Sequence, residues 1–337
     1  MFRRAALVGL VTSAAAAGAS AQETHIVMIA GLGGDPEYTN AFHGWLSRFA
    51  DAASERYGVD RARIHYFGEK TELDPTAIKA RSTAENIQAG FVELKEAMAP
   101  EDELVLLMVG HGTFRDDVAR FNIPGPDLTP KDLADLLAGL GERRMTVVNT
   151  ATASGPFVEA LSGPNRTVIT ATRSGREQNL TKFGLHFVDA FAGEGADLDK
   201  DTRVSMLEAF TYSIREVARE YEGEGELLTE HAVLDDNGDG EGSREELGTG
   251  AEGDGALART VFLASTTPNA GGGASTRGVT PALQALYDEK SAIELQISEL
   301  RAVKEQIPQE RYENDLEALL IDLALKNREI RNAGSDR

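Results

Sequence analysis

The chain has 337 residues, of which 41% are hydrophobic, enough for one sizeable folded core with an appendage. It contains no cysteine, which excludes disulfide bonds, thiolate metal sites and a cysteine nucleophile. The 34 basic and 55 acidic side chains give a net charge of −21, which repels phosphate backbones and argues against nucleic-acid binding.

Residues 1–21 have the pattern of a cleavable export signal. Arg3 and Arg4 precede an apolar run over residues 5–17, and the small residues 19–21 fit a peptidase cleavage site after Ala21. The run is shorter than the roughly 20 residues that span a bilayer, and no later segment is apolar enough to do so. An uncleaved anchor is the alternative. We therefore expect a periplasmic or secreted protein with no membrane span after signal cleavage.

Short apolar runs alternate with helical patterns between residues 22 and 268. The apolar runs predict β-strands over residues 25–30, 63–67, 104–109, 145–149 and 168–172. Helical periodicity covers residues 40–57, 84–98, 130–140, 180–191 and 204–221. This alternation predicts an α/β domain with a mostly parallel central sheet. In such sheets the chemistry lies in loops at the carboxyl ends of the strands, here residues 31–40, 110–115, 150–156 and 173–179.

Two of these loops carry candidate catalytic residues. His111 lies between Gly110 and Gly112 directly after a predicted buried strand, where a substrate backbone could come close. On its own, a histidine beside glycine is more often a turn residue than a catalyst. The next predicted strand ends in a loop that contains Thr152 and Ser154.

Together the two loops resemble those of the legumain and caspase superfamily of cysteine peptidases. Legumain-type peptidases carry a catalytic histidine in a His-Gly loop and a nucleophilic cysteine in Ala-Cys-x-Ser-Gly after the next strand. Here the second loop reads Ala-Thr-Ala-Ser-Gly over residues 151–155. The resemblance implies a caspase-like three-layer sandwich, and it places His111 on the catalytic histidine and Thr152 on the nucleophile. It also implies a substrate cleft lined by Gly112, Thr150, Gly155, Thr172 and Arg173.

Threonine at the nucleophile position changes the expected chemistry. A thiol ionises readily, whereas a threonine hydroxyl is a very weak acid that needs a base in hydrogen-bond contact. Its extra methyl group crowds attack, and an internal threonine lacks the N-terminal amine that activates other threonine nucleophiles. Thr150 also replaces the acidic residue that legumains place two positions before the nucleophile. We therefore expect a catalytically impaired pseudo-peptidase that binds a peptide or protein ligand.

An active hydrolase that uses Ser154 or Thr152 with His111 is the first alternative. Ser154 lies two residues beyond Thr152 in a glycine-flanked turn, so His111 could reach it if the loop were reorganised. The simpler interpretation is that Ser154 hydrogen-bonds the turn backbone, which serine before glycine commonly does.

Residues 197–208, here called the first acidic loop, have the ligand spacing of an EF-hand. Positions 1, 3, 5, 9 and 12 are Asp197, Asp199, Asp201, Ser205 and Glu208. Ca²⁺ takes six to eight oxygen ligands, which alternate residues of a tight loop can supply. Thr202 departs from the pattern, because glycine normally allows the sharp turn at position 6.

Residues 235–246, the second acidic loop, match the same spacing within an acidic, glycine-rich segment, residues 222–254, that we expect to be mostly loop. The ligand positions are Asp235, Asn237, Asp239 and Glu246, with Gly240 at position 6. Gly242 replaces the usual aliphatic residue at position 8. A solvated acidic turn is the alternative for each loop. Because two matches occur in one chain, we expect at least one structural Ca²⁺ site.

The C-terminal part predicts a helical hairpin over residues 281–333, which follows a glycine-rich linker at residues 269–280. Apolar residues recur at helical spacing on both sides of Pro308, and a proline midway between two arms of similar length favours an antiparallel pair over one long helix. A calcium-stabilised scaffold that acts through this hairpin is the second alternative for the function.

Overall fold

The computed structural model describes residues 22–244, 247, 253–263, 281–302 and 308–335. The predicted export signal, Glu246 and the glycine-rich linker lie outside the described residues. Within the part of the chain that is described, no helix is both long and apolar enough to cross a membrane.

A seven-stranded sheet forms the centre of the molecule, with the strand order β3-β2-β1-β4-β7-β8-β9. Every neighbouring pair is parallel except β8 and β9, which are antiparallel. Strands β5 and β6 form a separate two-stranded antiparallel hairpin. The bounds are β1 Thr24–Ala30, β2 Ile64–Gly68, β3 Ile78–Arg81, β4 Glu103–Val109, β5 Gly112–Arg115, β6 Val118–Phe121, β7 Arg144–Asn149, β8 Arg166–Thr170 and β9 Val233–Asp235.

Helices cover both faces of the sheet. One face carries α1 (Pro36–Asp51), α5 (Phe183–Ala192) and α6 (Met206–Glu224), and the other carries α2 (Ala84–Ala97), α3 (Pro130–Ala138) and α4 (Phe157–Leu161). Successive residues of β1 supply the two cores: Met28 belongs to the first and Val27 to the second. Strands that are buried on both faces of a sheet have continuous apolar sequences. The predicted three-layer α/β sandwich is confirmed.

Local capping explains where several helices begin. Asp35 accepts a hydrogen bond from Glu37 N at the start of α1, with Pro36 in the first turn. Ser205 and Glu208 form a reciprocal capping box at the start of α6. Both residues are also predicted calcium ligands of the first acidic loop, so this loop and the helix start share side chains.

Four strands, β3, β5, β6 and β9, depart from the predictions. Residues 110–115 were expected to be loop but contain β5, which pairs with β6, and residues 222–254 contain the short strand β9. Strand β3 was not predicted either. Along its four residues the polar side chains of Lys79 and Arg81 alternate with apolar ones, and β9 has only three residues. Such short edge strands show little apolar periodicity, because few of their side chains face a core.

The C-terminal helices are α7 (Pro281–Ala302) and α8 (Gln309–Ser335). Leu283 and Tyr287 near the start of α7 form a buried cluster with Ile330 near the end of α8, so the two helices are antiparallel. Lys326 of α8 bonds Glu289 of α7 at 2.6 Å. This confirms the predicted helical hairpin, while its treatment as a separate domain stays a prediction.

Candidate functional site

Histidine 111 lies where β4 passes into β5, at the carboxyl edge of the central sheet. Its ring packs against Tyr38 and Phe42 of α1, with both ring centroids 5.1 Å from the imidazole. Burial lowers the pKa of His111, and the backbone of Gly33 partly opposes that shift. The imidazole is therefore neutral at pH 7, the form that can accept a proton.

Thr152 lies directly beside the histidine loop, as the resemblance implies. Its hydroxyl donates a hydrogen bond to Gly112 O at 2.8 Å and accepts one from Gly112 N at 2.9 Å. The residue is 5% exposed. A Cβ added to Gly112 would lie 2.1 Å from Thr152 O, so only glycine allows the two loops to approach this closely. The structure thus brings the two motifs together, with the threonine hydroxyl held by the Gly112 backbone.

Ser154, the rival nucleophile, is completely buried, with 0% exposure. Its Oγ accepts a hydrogen bond from Thr172 N at 3.2 Å and lies 3.2 Å from Thr172 Oγ1. Gly155 N donates to the same threonine hydroxyl at 3.0 Å. These contacts join the loops after β7 and β8 to each other, which favours a structural role for Ser154.

The predicted cleft residues divide into buried and accessible groups. Thr150 is buried, with Oγ1 donating to Met108 O at 3.0 Å, and Thr172 and Gly155 are buried between the loops. Gly112 is half-buried, and Arg173 is exposed. Of the predicted lining residues, Gly112 and Arg173 can therefore meet a ligand directly.

A carboxylate and a second histidine beside this edge were not found from the sequence. Glu177 Oε1 lies 3.2 Å from Arg173 Nε and 3.1 Å from His231 Nδ1, and Glu177 Oε2 accepts a hydrogen bond from His231 N at 2.9 Å. Glu177 O also accepts a bond from Ala153 N at 2.8 Å, next to Thr152. No spacing motif marks Glu177 and His231, because they come together only through the fold.

Three carboxylates of the first acidic loop converge. Asp197, Asp199 and Glu208 each offer an oxygen within 4.8 Å of the others. Burial and the charge of Asp199 raise the pKa of Glu208 to about 7. Glu208 and Ser205 also serve as the helix cap described above. Asp197, Asp199 and Glu208 are the residues of this loop that could hold a cation.

Asp201 of the same loop pairs with a residue of the C-terminal helices. It is 1% exposed, and its carboxylate lies 2.5 Å from the ammonium group of Lys290 in α7. The same ammonium also bonds Asp199. Burial alone would lower the pKa of Lys290, but the charges of Asp201 and Asp199 raise it above its ordinary value. An internal cation therefore neutralises part of the first acidic loop.

Further contacts dock the helical hairpin on this loop. Asn327 Nδ2 donates to Asp199 O at 2.9 Å, and Tyr287 Oη donates to Asp201 O at 3.3 Å. The guanidinium group of Arg203 lies 3.9 Å from the ring centroid of Phe262 and 3.3 Å from that of Tyr287. The first acidic loop thus serves as the attachment point of α7 and α8.

The second acidic loop makes the same kind of turn beside α4 and the loop that follows it. Asn237 Oδ1 accepts a hydrogen bond from Asp239 N at 2.9 Å, and Asp239 Oδ1 accepts one from Glu241 N at 2.7 Å. Asp235 is buried at the end of β9. Asp235, Asn237 and Asp239 are its described candidate ligands.

Comparisons with known proteins do not identify a family. No protein-family profile matches the sequence, and a search of curated proteins finds no similar sequence. Among solved structures, the chain is similar to the crystal structure of caspase-1 from Spodoptera frugiperda, with a TM-score of 0.40 and 11% identity over 64% of this chain and 86% of that chain. This similarity assigns neither a family nor an activity to the chain.

Proposed function

We propose that this protein is a catalytically impaired relative of legumain-type and caspase-type peptidases that binds peptide or protein segments at the carboxyl edge of its sheet. The observation that carries the proposal is the hydroxyl of Thr152, whose two hydrogen bonds both go to the backbone of Gly112. Gly112 and Arg173 are the accessible residues beside it.

The chemistry of nucleophilic hydrolysis supports the loss of activity. A hydroxyl nucleophile must pass its proton to a base as it attacks the substrate carbonyl. The Thr152 proton is directed at the carbonyl oxygen of Gly112, which is not basic enough to take it. His111 is neutral but packs with its ring against Tyr38 and Phe42. With its hydroxyl bonded to the Gly112 backbone rather than to the imidazole, Thr152 suits the binding of a peptide better than its cleavage.

A peptide-hydrolysis screen tests the catalytic part of the proposal. The purified protein is incubated with a library of fluorogenic peptide coumarin amides, beside His111→Ala and the matched control Thr113→Ala, which changes an exposed neighbour. We expect the three proteins to release coumarin at the same background rate. Turnover that His111→Ala abolishes and Thr113→Ala retains would overturn the proposal. Ser154→Ala and Thr152→Ala would then identify the nucleophile.

An immobilised peptide library tests the binding part. Thr152→Ala removes the hydroxyl while leaving the loops in place, so we expect it to retain the peptides that the unaltered protein binds. Gly112→Ala places a methyl group against Thr152 O and separates the loops, so we expect it to lose most of that binding. Equal retention by both variants would place the binding surface elsewhere.

A scaffold acting through the hairpin is a second candidate, favoured by one surface feature. Helix α8 leaves Leu320, Ile321 and Leu325 exposed, at 45%, 53% and 42%. Neighbouring exposed apolar side chains are typical of protein-binding surfaces. Replacing Leu320 and Ile321 by serine should abolish partner capture without lowering Tm if the hairpin is the working surface. Unchanged capture would remove this candidate.

Export remains part of the proposal and has its own measurement. Intact-mass spectrometry of protein recovered from the periplasm or medium should give a chain that begins at Gln22, as expected for cleavage after Ala21. Retention of Met1 in a membrane fraction would instead support an uncleaved anchor.

A further inference from the structure

A buried carboxylate oxygen is unpaired in the second acidic loop. Asp235 is 1% exposed, and its Oδ1 accepts a hydrogen bond from Gly238 N at 3.1 Å. Its Oδ2 makes no hydrogen bond to any of the described residues. Burial raises the pKa of Asp235, and the nearby hydroxyl of Ser162 opposes that shift without reaching hydrogen-bond geometry. Because a buried charged oxygen without a partner is costly, this position favours a bound cation.

Further oxygen ligands surround the same turn. Asn237 and Asp239 follow Asp235 at alternate positions, the spacing with which EF-hand loops direct oxygens toward Ca²⁺. Both side chains are exposed, so a cation can reach them from solvent. The negative charges of Asp254 and Asp239 act on Asp235, so the local potential attracts cations.

The backbone turn holds these residues in place. Gly238 and Gly240, at positions 4 and 6 of the loop, have φ angles of 82° and 80°. Only glycine adopts this conformation without strain, and it lets the chain fold tightly between the alternating ligand positions. The turn lies against α4 and its following loop, where a Cβ at Gly238 would be 3.4 Å from Gly163. The second acidic loop is thus a turn supported by the domain core.

We propose that residues 235–239 bind Ca²⁺, with Asp235 Oδ2 as its buried ligand and with Asn237 and Asp239 as further ligands. The oxygen-only donor set fits Ca²⁺, since Zn²⁺ in proteins favours histidine and cysteine ligands and Mg²⁺ demands near-ideal octahedral geometry. This site is separate from the proposed peptide-binding edge, so either proposal can fail without the other. In the first acidic loop, the ammonium group of Lys290 bonds the residues at positions 3 and 5, Asp199 and Asp201.

Calcium titration of the chain beginning at Gln22 tests the site. The protein is stripped with EDTA, dialysed and titrated with CaCl₂ by isothermal calorimetry, and its Tm is measured with and without CaCl₂. Asp235→Asn and Asp197→Asn form a matched pair, because each changes position 1 of one acidic loop and keeps its size. We expect the unaltered protein to bind Ca²⁺ and to gain about 5 °C in Tm at a hundredfold excess over Kd. Asp235→Asn should lose this site and its Tm gain, and Asp197→Asn should keep both.

Three results would overturn the proposal: no heat and no Tm gain in the unaltered protein, full Ca²⁺ binding by Asp235→Asn, or equal affinity for MgCl₂ in a parallel titration. If Asp235→Asn does not fold, Asp239→Asn decides the question, because residue 239 is exposed. A Kd at least tenfold weaker than that of the unaltered protein supports the site, and an unchanged Kd overturns it.

Discussion

The two acidic loops share a turn but differ in what faces their carboxylates. In the first loop, Lys200 and Thr202 have φ angles of 63° and 77° at positions 4 and 6. Gly238 and Gly240 have nearly the same angles at these positions of the second loop. The first loop receives the ammonium group of Lys290, whereas in the second a buried oxygen of Asp235 finds no hydrogen-bond partner among the described residues.

This difference shows that loops with the same ligand spacing can present their carboxylates to different surroundings. Alternating acidic residues bring carboxylates together, and their repulsion must be offset by a cation. Lys290 lies 89 residues after Asp201 along the chain, yet it supplies that cation from the hairpin. The same motif therefore serves as a docking point in one loop and is proposed as a metal site in the other.

The largest expected effect comes from removing the internal cation. Lys290→Met keeps most of the side-chain volume but leaves Asp201 buried without its ammonium partner. Breaking a buried ion pair from one side costs about 3–5 kcal/mol, so we expect the free energy of unfolding to fall by about 3 kcal/mol. Urea denaturation monitored by circular dichroism measures the change.

Lys326→Met is the matched control for this variant. Lys326 bonds Glu289 and Glu329, whose side chains are 59% and 53% exposed, and such pairs contribute about 1 kcal/mol or less. Equal losses in the two variants would mean that Lys290 does not hold the first loop and the hairpin together.

A second experiment asks whether the first loop can exchange its ammonium group for calcium. Combining Lys290→Met with Asp235→Asn removes the internal cation and the proposed metal site together. Asp197, Asp199 and Glu208 then converge without the ammonium group of Lys290, so we expect a new calcium-dependent stabilisation of about 2–3 kcal/mol at a hundredfold excess over Kd. Thermal unfolding with CaCl₂ and with EDTA measures it. The absence of any calcium effect would show that the first loop lacks the geometry of a metal site.

The smallest effects concern the backbone of the two turns. Thr202→Gly should raise the free energy of unfolding by about 1 kcal/mol, because it relieves a left-handed conformation that a β-branched residue adopts at a cost. Gly240→Ala should lower it by about 1 kcal/mol for the converse reason. Changes of the same sign in the two variants, measured by urea denaturation, would contradict a shared turn geometry.

Much of the fold was predictable because its central strands are buried on both faces. Residues 104–109 are wholly apolar, and they form the main part of β4. The edge strands β3 and β9 and the hairpin of β5 and β6 were missed, since their side chains alternate with polar residues or are too few to show a period. Helix capping by Ser205 and Glu208 follows an unmistakable sequence signature.

The sequence predicted which loops lie together at the candidate site, but it did not predict the hydrogen bonds between them. Loops at the carboxyl ends of adjacent parallel strands must lie together, which is why the loops that carry His111 and Thr152 meet at Gly112. Whether a hydroxyl points at a base or at a backbone carbonyl depends on contacts of about 3 Å, as at Gly112. Glu177 and His231 are 54 residues apart, so no local pattern marks their contact.

The sequence by itself determined the layered α/β architecture, the helical hairpin, the neighbouring catalytic-type loops and the two acidic turns, because these follow from local periodicity and spacing. The tertiary structure alone decided that the Thr152 hydroxyl bonds Gly112, that Ser154 is buried, and that the ammonium group of Lys290 faces Asp201. Those outcomes depend on which side chains distant segments bring within a few ångströms of one another, and on how much water is excluded there.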